Sequence, residues 1–166
     1  MTALGEHSNP ALCAKCGGRC CQRAPGECRP QDFASATELA EKLASGRYGI
    51  DWWEGDPRTS DAEREQIPWP ETGDGKAYFV RPAVTGREGR LFDASWGGKC
   101  TFLKSDGCAL APRNRPHGCR TLIPEANGEC TYAHGDLEKR LACLEWLKTP
   151  LLDEALSALG VMGIEV

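Results

Sequence analysis

The chain has 166 residues, a net charge of −4 and 40% hydrophobic residues. That length fits one domain able to bury a core of its own, and the acidic balance supplies no global attraction to nucleic acid. No stretch approaches the ~18 apolar residues that a spanning helix needs, so a membrane role is not expected.

Residues 1–12 read as a flexible tail. They carry neither a basic n-region nor an apolar h-region, so the expected location is cytoplasmic. Thiols stay reduced there, and clustered cysteines bind metal more often than they form disulfides.

From residue 13 to the end a single cysteine-cluster domain is expected. Its first segment is Cys13-Ala14-Lys15-Cys16-Gly17-Gly18-Arg19-Cys20-Cys21. Thiolates are soft, charged donors that hold zinc or iron strongly. Cys13 and Cys16 reach one ion from a tight loop, and Gly17 and Gly18 let the backbone bend directly afterwards. Neighbouring side chains diverge, so Cys20 and Cys21 are expected to serve different positions of the site.

A helix follows. Ser35 and Glu38 make a capping box, Leu39, Ala40, Leu43 and Ala44 recur at helical spacing, and Gly46 ends the run. Residues 47–75, dense in Trp, acids, Gly and Pro, read mostly as loop, with a short helical turn over 60–66. Residues 77–80 and 89–93 read as two short strands that pair as a hairpin.

The second thiol group is Cys100, Cys108 and Cys119. Ser105-Asp106-Gly107 is a turn signal that brings Cys100 and Cys108 toward one centre. Pro116 stiffens the approach to Cys119, and Gly118 permits a bend before it. The basic residues gather beside the thiols. Lys15, Arg19, Arg23 and Arg29 face only Glu27 between residues 13 and 30, and Lys99, Lys104, Arg113, Arg115 and Arg120 face only Asp106 between 99 and 120. Such cations stabilise an anionic thiolate centre.

Asp136 is placed to cap a helix reaching about residue 148, with Leu137, Leu141, Leu144 and Leu147 on one face. Pro150 starts a second helix, with Leu151, Leu152, Ala155, Leu156 and Leu159 on its apolar stripe. The fold class expected is therefore α+β, small and loop-rich. A cysteine-metal core joins the N-terminal loop to the central segment, beside a short β-hairpin and a C-terminal helix pair.

Cys13-x-x-Cys16-x-x-x-Cys20-Cys21, then Cys100-x-Phe102-Leu103, Gly107-Cys108 and Arg115-Pro116-x-x-Cys119-Arg120 together resemble the YkgJ-like CxxCxxCC cysteine-cluster family, described as a zinc- or iron-chelating domain. Three residues rather than two precede the Cys pair here. The resemblance implies that Cys13, Cys16, Cys20, Cys21, Cys100, Cys108 and Cys119 are the metal ligands. Cys28 and Cys130 lie in loops outside the pattern as candidates for an eighth position, whereas Cys143, inside a helix, reads as a buried inert thiol. His117 is either a ligand, a donor to sulfur or a plain loop histidine.

Seven thiols exceed the four that one zinc or one [4Fe–4S] cluster needs. An iron-sulfur cluster is slightly favoured over zinc. Two function classes follow. One is a metal-binding protein with a cytoplasmic redox role and an unknown redox or protein partner. The other is a zinc-stabilised, non-catalytic protein-interaction module. No acid–base or nucleophile constellation is readable, so no catalytic residue is assigned.

Overall fold

A computed structural model describes residues 23–70, 72–94, 97–105, 107–121, 123–124, 130–131 and 135–161. The expectations for residues 1–12 and for Cys13, Cys16, Cys20 and Cys21 concern residues outside these. Among the described residues are helices α1 (Ala36–Ala44), α2 (Asp61–Gln66), α3 (His117–Arg120), α4 (Gly135–Leu147) and α5 (Leu151–Val161). Six strands form three two-stranded antiparallel sheets, so the fold is α+β.

The largest sheet pairs β1 (Tyr48–Glu54) with β2 (Lys76–Pro82), in a register running from Tyr48 opposite Pro82 to Glu54 opposite Lys76. The partner of residues 77–80 is therefore β1, not residues 89–93. Loop was expected over β1 because Asp51 and Glu54 interrupt its apolar residues. Asp51 is nonetheless buried, since Arg81 on β2 donates to its carboxylate at 2.8 Å. A cross-strand ion pair thus takes the place that an apolar residue would fill in a legible strand pattern. Residues 91–93 lie against the other edge of β1. Ile50 N–H donates to the Leu91 carbonyl at 2.7 Å, and Asp93 N–H donates to the Ile50 carbonyl at 2.9 Å.

α1 starts where expected. The Ser35 hydroxyl accepts from Glu38 N–H at 3.1 Å, while the Glu38 carboxylate reaches back to the Ala34 N–H. Its apolar stripe buries Leu39, Ala40 and Leu43. At α2 the box is reciprocal between Ser60 and Glu63. The two C-terminal helices flank residues 148–150 as expected, but their main partners are other elements: α4 packs on β2 and α5 on α1. Between these layers lies one core containing Phe33, Ile50, Phe79, Val80, Trp146 and Leu159. Cys28 and Cys100 belong to that core, so the thiols sit at its edge rather than on an isolated loop.

Two small hairpin-like pairs complete the sheets. β3 (Leu103–Lys104) pairs with β4 (Gly107–Cys108) around the predicted turn, and β5 (Ile123–Pro124) pairs with β6 (Cys130–Thr131). The Cys130 side chain is outside what is described.

Candidate metal centre

The site is built where the exit of the N-terminal cysteine segment meets the second thiol segment. The Arg23 carbonyl, two residues after Cys21, accepts from Gly98 N–H at 2.8 Å, two residues before Cys100. The Glu27 carbonyl accepts from Gly118 N–H at 2.9 Å, and Cys28 N–H donates to the Val80 carbonyl at 2.7 Å. Two glycines permit this approach. A Cβ at position 26 would stand 2.6 Å from Cys119 Sγ and 2.8 Å from its nitrogen, and one at 118 would stand 2.4 Å from Glu27 Oε2. Gly118 lies in the helical turn α3, so its role is this close contact rather than a bend.

Asp32 clamps the two segments. One carboxylate oxygen accepts from Arg29 N–H at 2.9 Å and from His117 N–H at 3.0 Å, and the other accepts from Arg120 Nη2 at 2.7 Å. The buried Arg29 guanidinium donates to Glu145 at 2.6 Å and to Glu138 at 2.9 Å on α4. Arg115 Nε donates to the Leu110 carbonyl at 3.1 Å. Arg29, Arg115 and Arg120 are buried. They therefore act as internal clasps on carboxylates and carbonyls, rather than as loose cations balancing thiolate charge. Arg81 and Arg87 are engaged in the same way, both on Asp93.

Four cysteines act electrostatically on Tyr48. Burial raises the Tyr48 hydroxyl first, and Cys28, Cys100, Cys108 and Cys119 are each close enough to push it further. Cys28 is 1% exposed, Cys100 is also buried, and Cys108 and Cys119 are half-buried. No disulfide joins any two of the described cysteines. Burial drives the Cys28 thiol well up, with Asp32 and Cys119 adding to the shift. Leu110 N–H donates to Cys108 Sγ at 3.4 Å, the kind of contact that stabilises a thiolate. Among the described residues, no three cysteine sulfurs lie within 4.8 Å of one another. A single tetrahedral zinc would space its sulfurs about 3.8 Å apart. The described thiols thus do not form a closed one-ion set by themselves.

No protein-family model, no curated protein and no solved structure matches the chain. Of the seven ligands expected, Cys100, Cys108 and Cys119 are described, each acting electrostatically on Tyr48, and Cys13, Cys16, Cys20 and Cys21 lie outside the described residues. Cys28, which no spacing pattern includes, acts on Tyr48 as they do, and Cys119 acts on Cys28. Cys143 behaves as a core thiol. It donates to the Ala77 carbonyl at 3.5 Å, and burial first, then Asp51, pushes it up to about 12.

A second group of donors had no sequence signal beyond His117. Ligand atoms of Glu27, His117 and Glu138 all lie within 4.8 Å of one another. Burial raises the Glu27 carboxyl against the pull of its own backbone and Arg29, and burial followed by Arg29 lowers His117. Glu27 and Glu138 come from segments more than a hundred residues apart, which hides the grouping from any local reading. Among the described residues no helix is long and apolar enough to cross a membrane.

Proposed function

We propose that the chain is a cysteine-ligated metal-binding protein, holding an iron-sulfur cluster, zinc or both where the N-terminal cysteine segment meets Cys100, Cys108 and Cys119, with a cytoplasmic redox role and a redox partner. The observation that carries this reading is the backbone contact of residues 23–28 with the two later strands of chain, through Gly98 N–H on Arg23 and Gly118 N–H on Glu27. It anchors the chain just after Cys20 and Cys21 beside the approaches to Cys100 and Cys119. The motif resemblance to the YkgJ-like family supports the same ligand set, and Cys28 is added to it here.

The residues present fit the group by chemistry. Thiolates select zinc and iron-sulfur clusters over hard cations. Bound there, a cluster would supply one-electron redox chemistry. The chain's own contribution is the scaffold: Asp32 and Arg120 hold the turn bearing Cys119, and the Leu110 amide faces the Cys108 sulfur. Tyr48 and Phe102, with ring centroids 5.4 Å apart, are both buried in the core.

Anaerobic purification with metal analysis, ultraviolet-visible absorption and electron paramagnetic resonance tests the reading. The expected result is protein-bound iron with a reducible cluster signal, diminished in Cys16→Ser, Cys28→Ser and Cys119→Ser but retained in Cys143→Ala. Stoichiometric zinc with silent spectra would turn the reading to the zinc-stabilised interaction module. Protein without tightly bound metal would remove both.

A further inference from the structure

We propose that Glu27, His117 and Glu138 form a second metal site, chemically distinct from the thiols, for a divalent first-row cation of the Mn²⁺ or Fe²⁺ kind. Their ligand atoms lie within 4.8 Å of one another. Two ligands on opposite sides of one ion with bonds of ~2.2 Å stand about 4.4 Å apart, so a single ion spans the group with small side-chain adjustments.

The group is more than an acidic cluster. Glu27 is 5% exposed, and its Oε1 is fully enclosed with no hydrogen-bond partner among the described residues. His117 Nδ1 is enclosed and unbonded in the same way. Buried oxygen and nitrogen lone pairs are rarely left without a donor, because each has lost its water. Here two belong to residues of one three-member group. The neighbouring cation does not fill the need: Arg29 Nη2 is 3.9 Å from Glu27 Oε1, while its close bonds go to Glu138 and Glu145. Lys139, the other cation acting on Glu27, does so only at a distance.

Three features organise the site. Gly118 leaves open the space beside His117 that Glu27 occupies, since a Cβ there would stand 2.4 Å from Glu27 Oε2. Asp32 holds the His117 backbone at 3.0 Å and so fixes the start of α3. Arg29, bonded to Glu138 at 2.9 Å, orients that carboxylate as an outer-shell donor does at a metal site. Two carboxylates and one imidazole suit borderline to hard cations, whereas the soft thiols nearby suit zinc and iron-sulfur. The two sites would therefore sort different metals. The inference does not depend on the proposed function, because it uses none of the sulfurs.

Mn²⁺ is the probe, since thiolates bind it poorly. The full chain is titrated with Mn²⁺, and the free-ion electron paramagnetic resonance signal is followed. The expected result is uptake of one ion per chain, weakened by more than about tenfold in His117→Asn and Glu138→Gln, because even an outer-shell loss costs roughly 10–100-fold in affinity. Cys108→Ser should keep the uptake while losing thiol-bound metal. Circular dichroism melts identify any variant that fails to fold, and Glu27→Gln, which keeps the side-chain shape, then replaces it. No uptake by the unaltered chain overturns the proposal. So does equal uptake in folded His117→Asn and Glu138→Gln, or loss of uptake in Cys108→Ser alone.

Discussion

Replacing Gly118 by Ala tests the contact on which the site depends. The added Cβ would meet Glu27 Oε2 at 2.4 Å, Glu27 Cδ at 2.7 Å and the Glu27 backbone nitrogen at 2.8 Å. Carbon does not approach nitrogen that closely, and the backbone atom cannot swing aside as a side-chain tip would. Overpacking of this kind costs about 1–3 kcal/mol. Shifting the segments apart also strains the Gly118 N–H bond to the Glu27 carbonyl, worth about 1 kcal/mol. The gain from Gly to Ala in a helix is at most about 1 kcal/mol and is smaller in so short a turn. A net loss of about 1–3 kcal/mol follows, or roughly 2–12 °C in Tm for a domain of this size. Gly160→Ala is the matched control. Gly160 lies exposed in α5 with nothing within 4 Å of the added carbon. It should gain up to about 1 kcal/mol. Thermal melts of both variants decide the matter, with bound metal measured in each. Equal or unchanged melting in the two would refute the close approach of residues 26–28 to α3.

Other outcomes follow from the scaffold. Arg81→Met takes the guanidinium from buried Asp51 and leaves buried Asp93 with Arg87 alone, and removal of one partner from such a network costs about 3–5 kcal/mol; chemical denaturation should show it, and a loss below about 1 kcal/mol would mean that water reaches those acids. Glu63 is held down from 4.5 to about 2, first by Thr59 N–H and then by Ser60 and Arg140. Its contribution is therefore whole above the unfolded value of 4.5 and is lost as pH falls through about 2. The Tm difference between the unaltered chain and Glu63→Gln should shrink across that window, and a constant difference would contradict the assignment.

Local chemistry made much of the molecule readable. The Ser35 and Ser60 caps, the Leu39–Leu43 stripe and the break at Thr149-Pro150 are decided within a turn or two of chain, where hydrogen-bond geometry and 3.6-residue spacing act directly. So were the inert place of Cys143 and the thiol pattern of Cys100, Cys108 and Cys119. β1 was hidden because the partner that neutralises Asp51 is Arg81, thirty residues on. Arg29 and Arg120 have partners that were hidden for a related reason. Composition counts a cation's charge, but only the folded chain shows that Glu138, Glu145 and Asp32 already hold Arg29 and Arg120.

By itself the sequence determined which donor types the protein has and how they are spaced along the chain. It also determined which helices flank them, because those properties are local. Only the tertiary structure decided which donors meet. Glu27 joins His117 and Glu138 through the contact of two side-chain-free backbones at Gly26 and Gly118. Such a contact has no periodicity and no motif. It exists only after residues about ninety apart have packed into one core.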